Sequence, residues 1–175
     1  MKRGFTLLEI LIVLLLISSM LVVVLPGWKN LISFIYFEQE QHRLWIFLRQ
    51  LQARVATSGQ IWFLIANRDV NRQRWCLTAQ LKSEYICDCF TPQSCPETLS
   101  AQFYSPYAVG YTMLKTKHYY PNTMTRLSAV RETLETSCFV LQTDHQKAIF
   151  SLFNVGSIKL KKDAPLSACE SEREH

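Results

Sequence analysis

Between Phe5 and Leu25 the chain carries one ionisable side chain, Glu9. That run is 21 residues long, and about 20 helical residues cross the ~30 Å of hydrocarbon in a bilayer. A helix satisfies its backbone internally, as lipid demands. Lys2 and Arg3 precede the run, and Pro26-Gly27 closes it. Basic residues in front predict that the N-terminus stays in the cytoplasm and the remainder lies outside. A secretory signal peptide needs a shorter apolar core with a small-x-small cut site behind it; Leu25-Pro26-Gly27-Trp28 is a poor site.

Glu9 is the residue a plain anchor does not explain. A charge within a spanning helix costs at least about 2.5 kcal/mol and marks function by default. One reading places Glu9 in the flank, just outside the hydrocarbon. Against that, Phe5, Leu7 and Leu8 come before it. A buried carboxylate requires a cationic partner. Cleavage between Gly4 and Phe5 creates one, a free amine one helical turn from Glu9. In a packed array of such helices, the amine of one copy meets the glutamate of the next.

Lys2-Arg3-Gly4-Phe5-Thr6-Leu7-Leu8-Glu9, followed by the apolar run and Pro26, resembles the leader and anchor of type IV prepilins and pseudopilins. The resemblance covers about the first 28 residues. It implies removal of Met1–Gly4 by a prepilin peptidase on the cytoplasmic face and N-methylation of Phe5. It also implies that Glu9 registers one subunit against the next in a helical filament of other pilins, built by an inner-membrane assembly platform. The expected protein is a single-pass inner-membrane protein with a periplasmic head. The expected divisions are a leader over 1–4, a transmembrane and filament-core helix over 5–25, an amphipathic continuation over 26–57 and a β-rich, disulfide-bonded head over 58–175.

About 145 residues remain beyond the leader and the anchor, which suits one domain rather than two. The formal charge is +5; without Lys2 and Arg3 it is 17 − 14 = +3. That is too weak to argue by itself for nucleic acid. Cys76, Cys87, Cys89, Cys95, Cys138 and Cys169 all follow the anchor, on the side where disulfides form. Six cysteines allow fifteen pairings, and sequence does not choose among them. Zinc held by Cys87-Asp88-Cys89 with Cys95 is the competing reading, but Cys-x-x-Cys spacing is missing and the four histidines are scattered. We expect neither metal nor cofactor.

The expected fold is α+β: a long N-terminal helix packed on an antiparallel sheet. Trp28, Leu31, Ile32, Ile35 and Tyr36 recur at helical spacing, and so do Leu44, Leu48, Leu51 and Val55. The pattern predicts one helix from about Phe5 to about Thr57, bent at Pro26 and capped by Ser58-Gly59. At 1.5 Å per residue it is about 80 Å long. Strands are expected at Ile61–Ile65, Trp75–Ala79 and Tyr85–Cys87, with a polar turn over Asn67–Arg72. Cys76 then falls near Cys87 or Cys89. Residues 99–120 give a mixed signal, and Thr125–Thr136 reads as a short helix or an irregular connection. Closing strands are expected at Cys138–Gln142, Ala148–Phe153 and Ser157–Lys161, with turns between them. Cys169 is expected to tie down a polar tail.

Leu48-Arg49-Gln50-Leu51-Gln52-Ala53-Arg54-Val55-Ala56, Ile61-Trp62-Phe63 and Arg74-Trp75 are similar to the helix end and first strands of FimT/GspH-like minor pilins and pseudopilins. That likeness spans roughly residues 44–80. It implies a minor pilin of a pilus system that can serve DNA uptake, or alternatively a type II secretion pseudopilin; the irregular head composition and the cysteines suggest an initiating or tip subunit. The chain departs from the group in its cysteine-rich loop, its polar tail, and Cys76-Leu77 where a glycine usually follows the tryptophan. Some FimT-like pilins bind DNA through a basic C-terminal region. Here Lys159, Lys161 and Lys162, with Arg68, Arg72 and Arg74, are the candidates for nucleic acid. Solvated strand faces are the competing explanation, and Glu170, Glu172 and Glu174 would oppose phosphate. No catalytic motif is present, so an enzyme is not expected.

Overall fold

The computed structural model describes residues 6–107, 109–129, 137–152, 158–162 and 169, and gives only the backbone of 23–27, 29, 30 and 162. Helix α1 runs from Leu7 to Ser58. The chain divides into two compact units, Met1–Ile35 and Tyr36–His175, and α1 contributes to both. The expected bend at Pro26 rests on a side chain outside the described residues.

In the first unit, the side chains from Leu7 to Val22 are exposed on every side of the helix. Ser18 and Ser19, the uncharged polar residues in that stretch, donate back to the carbonyls of Leu15 and Leu16 at 3.0 and 2.8 Å. Their hydroxyls are thereby satisfied within the helix, as an apolar setting requires. Among the described residues, no helix is long and apolar enough to cross a membrane.

The helix ends as its sequence predicts. Gly59 takes φ +66°, and its N–H donates to the Val55 carbonyl at 3.3 Å. The left-handed conformation costs an L-residue about 1 kcal/mol or more. A Cβ at Gly59 would meet nothing within 4 Å, so only the backbone resists substitution. Gly59→Ala should lower stability by about 1 kcal/mol, read from urea unfolding of the full chain in detergent.

In the second unit, Phe37, Leu44, Leu48, Leu51 and Val55 form one buried stripe on α1. Two four-stranded sheets share a core with it, where a single sheet was expected. Sheet A has the order β3-β2-β1-β5, from β1 (Trp62–Asp69), β2 (Arg74–Leu81), β3 (Ala101–Tyr104) and β5 (Thr125–Leu127). Sheet B has the order β4-β6-β7-β8, from β4 (Met113–Lys115), β6 (Ser137–Gln142), β7 (Lys147–Leu152) and β8 (Ile158–Lys162). Every neighbouring pair is antiparallel. Leu64, Trp75 and Leu77 from sheet A meet Leu141, Phe139 and Phe150 from sheet B in the helix-covered core. Trp75 also joins the two halves, because its indole N–H donates to the Thr112 carbonyl at 3.0 Å, just before β4.

Three local expectations are corrected. β1 extends through Asn67 to Asp69, so the turn is the shorter stretch 70–73, with Gln73 at φ +48°. Tyr85–Cys87 is not a strand. β3 occupies the edge of β2 that it would have needed, pairing Leu77 with Tyr104 and Gln80 with Ala101. The buried Gln80 amide holds the segment instead, donating to Tyr85 O at 2.7 Å and accepting from Cys87 N–H at 2.8 Å. Thr125–Leu127 is a strand, neither helix nor irregular, because Thr125 and Leu127 pair with Leu64 and Trp62. The expected turn at Asn154–Gly156 lies outside the described residues.

Candidate functional site

The sequence-predicted site residues fall into three places. The first is the start of α1. Gly4 and Phe5, the expected cleavage and methylation positions, and the basic Lys2 and Arg3 lie outside the described residues. Glu9 is exposed in the first turn. Its N–H donates to Thr6 Oγ1 at 3.3 Å. Thr6 is thus an N-cap residue with glutamate three positions on, the sequence signature of a capping box of which the threonine half is formed. Sequence reasoning passed over this local role, although Thr6-Leu7-Leu8-Glu9 spells the signature. Glu9 also places a negative charge against the positive end of the helix dipole.

The second place is the cysteine corner. Cys76 is bonded to Cys89, and Cys87 to Cys95. The two bridges overlap in sequence and lock residues 76–95. Asp88 orders the loop between them, accepting from Asn67 Nδ2 at 2.8 Å and from Phe90 N–H at 2.9 Å. Cys76, Asp88 and Cys89 gather their ligand atoms within 4.8 Å. The two sulfurs are bonded to each other, so neither is a thiolate able to bind a cation.

The third place is the basic residues, which the structure divides between the sheets. Arg68 lies over the Tyr119 ring at 4.2 Å, and Arg74 over Phe90 at 5.1 Å. Asp69 faces Arg72 at 3.8 Å and Arg74 at 3.5 Å. These arginines flank the β1–β2 turn of sheet A. Lys159 and Lys161 are on β8 of sheet B and are exposed. The Lys162 side chain lies outside the described residues. Cys169 is bonded to Cys138 on β6, as its tying role required.

A fourth constellation was not singled out from sequence. Glu40 on α1 is 1% exposed. Its carboxylate accepts from the Tyr104 hydroxyl on β3 and from the Tyr107 N–H at 3.0 Å. Arg43 reaches the same carboxylate at 4.0 Å and lies 5.5 Å from the Tyr107 ring centre. Burial, then the hydrogen bond and the charge of Glu40, push the Tyr104 hydroxyl far above the ordinary tyrosine range, and Arg43 opposes them. Tyr111 packs on Tyr36 with ring centres 4.7 Å apart. Tyr104, Tyr107 and Tyr111 are thereby clamped to the helix. A charge three positions after Phe37 and four before Leu44, in line with the apolar stripe, was the available signal. Its partners lie 64 and 67 residues away, beyond the reach of any local pattern.

The geometry defines an α+β protein in which one long helix and two antiparallel sheets share a core, with three disulfides fixing the loops. A protein of Haemophilus influenzae described as uncharacterized is 45% identical over 169 residues, covering 97% of this chain and 99% of that protein. The chain belongs to the family of that protein. No family model and no solved structure matches it.

Proposed function

We propose that this protein is a minor type IV pilin, a structural or initiating subunit of an inner-membrane pilus assembly system. One observation carries the reading: from Leu7 to Val22 the helix exposes apolar side chains all round, and Glu9 is the sole charge among them. Such a surface is stable only in lipid or against similar helices. Before assembly the helix rests in the bilayer. After cleavage before Phe5 it transfers into a bundle of like helices. Lipid and bundle are similarly apolar, so the transfer costs little. Glu9 then pairs with the new Phe5 amine of a neighbour, which fixes register. The antiparallel sheets and disulfides of the second unit suit an oxidising compartment.

The test is the mature N-terminus of protein isolated from its native cell, read by mass spectrometry. The expected chain begins at Phe5 and carries one methyl group. Glu9→Ala should leave that processing intact and reduce incorporation into filaments. A chain that begins at Met1, or is trimmed beyond Trp28, overturns the proposal.

A further inference from the structure

We propose that Cys95 is a reversible site of S-thiolation, where a low-molecular-weight thiol opens the Cys87–Cys95 bridge and Cys87 later expels it. Exposure separates the two ends of this bridge. Cys87 is buried, with 0% exposure, whereas Cys95 is half-buried. The residues on both sides of Cys95, 91–94 and 96–98, are exposed. Thiol–disulfide exchange proceeds at the sulfur that a thiolate can reach, so attack falls on Cys95.

The other two bridges lack this combination. Cys76 and Cys89 are both buried. Cys138 is half-buried, but it lies within β6, paired with Ser151. Its partner Cys169 is buried against Val140 and Ile149. A mixed disulfide needs room for the adduct and separation of the two original sulfurs. The β6–β7 ladder and the apolar cluster hold Cys138 and Cys169 in place. Cys95 instead follows the short 3-10 turn Pro92–Ser94 in an exposed loop, with space for an adduct.

The step balances without a further reagent. The incoming thiolate bonds to Cys95 Sγ and the bond between the two cysteines breaks. Its electron pair leaves on Cys87 Sγ, which takes up a proton. One thiol is consumed and one cysteine thiol is formed. The Cys76–Cys89 bridge stays closed and still ties β2 to the loop.

The return step is built into the same loop. Cys87 N–H donates to Gln80 Oε1 at 2.8 Å. Gln80 Nε2 donates to the Tyr85 carbonyl at 2.7 Å, and the Tyr85 hydroxyl donates to the Ser94 carbonyl at 3.1 Å. This chain of hydrogen bonds links the Cys87 backbone to the residue before Cys95. It keeps the adduct beside the Cys87 thiol, which attacks within one molecule and gains the advantage of proximity. Cys87 then re-forms its bond to Cys95, and the small thiol leaves.

The test exposes the folded full chain in detergent to reduced glutathione, with early samples quenched in acid and then alkylated. Peptide mass spectrometry should find glutathione on Cys95 and an alkylated thiol on Cys87, with the other bridges intact. Adduct on Cys76, Cys87, Cys89, Cys138 or Cys169 overturns the proposal. So does a folded chain that takes up none when the urea-unfolded chain does. Dialysis should restore the Cys87–Cys95 bridge, and an adduct that persists overturns the return step. Tyr85→Phe alters an exposed side chain and removes the hydrogen bond to Ser94. It should raise the ratio of adduct to closed bridge about fivefold, the effect of one ordinary hydrogen bond. An unchanged ratio overturns the role of Tyr85 in holding Cys95 for the return.

Discussion

Glu40→Ala is expected to destabilise the second unit by about 3 kcal/mol, because it leaves two donors without an acceptor. Tyr104 is 7% exposed and its hydroxyl has the Glu40 carboxylate as acceptor. The Tyr107 N–H loses the same carboxylate. Each abandoned group costs about 1–3 kcal/mol, and hydrogen bonds to charged groups stand at the high end. Part of the cost is returned, since a buried charge need no longer be desolvated. Tyr104→Phe should cost less, about 2 kcal/mol, because Glu40 keeps the Tyr107 N–H and Arg43. Urea unfolding of the full chain in detergent, followed by near-UV circular dichroism, measures both. A Glu40→Ala loss below 1 kcal/mol would mean that the clamp on Tyr104 and Tyr107 does not matter to the fold.

The clamp also sets a pH dependence. The Tyr104 hydroxyl holds its proton more tightly in the folded chain than in the unfolded one. The folded state then binds more protons than the unfolded state above the ordinary tyrosine value of about 10. Its contribution to stability is whole below pH 10 and is lost as pH rises past it, with a slope of up to about 1.4 kcal/mol per pH unit. Tyr104→Phe should remove this component, so the wild type and the variant converge in stability between pH 10 and 12.

What sequence could reveal was decided by separation along the chain. The Leu44–Leu48–Leu51–Val55 stripe, the Ser58-Gly59 stop and the Cys138, Ala148 and Ile158 strands rest on local periods, and all appear in place. Tyr85–Cys87 failed because edge occupancy is a tertiary matter: Ala101–Tyr104, a weakly patterned run, won the place beside β2. Splitting into two sheets was invisible for the same reason. β5 joins β1 across more than 55 residues, while its own composition, Thr-Arg-Leu, signals little. Disulfide partners were narrowed for Cys76 by the strand pattern, and the remaining pairs required coordinates. Trp28, Leu31 and Ile35 have helical spacing yet remain exposed, because a period reports one face and not what covers it.

Replacing Cys138 and Cys169 together by alanine is expected to cost about 4 kcal/mol. The bridge spans 31 positions, against 13 for Cys76–Cys89 and 8 for Cys87–Cys95. In the chain-entropy account, a longer closed loop restrains the unfolded chain more, giving about 3 kcal/mol for each shorter bridge. Those two also overlap in sequence, so removing one leaves the other restraining much of the same loop. No second bridge backs up Cys169, which is held otherwise by Val140 and Ile149. Denaturant midpoints of the three double-alanine variants should therefore rank the Cys138–Cys169 loss as the largest. The change in slope with denaturant should also be greatest there, because that unfolded state expands most. Equal losses for all three pairs would show that native packing around the sulfurs, rather than loop length, sets the contribution of each bridge.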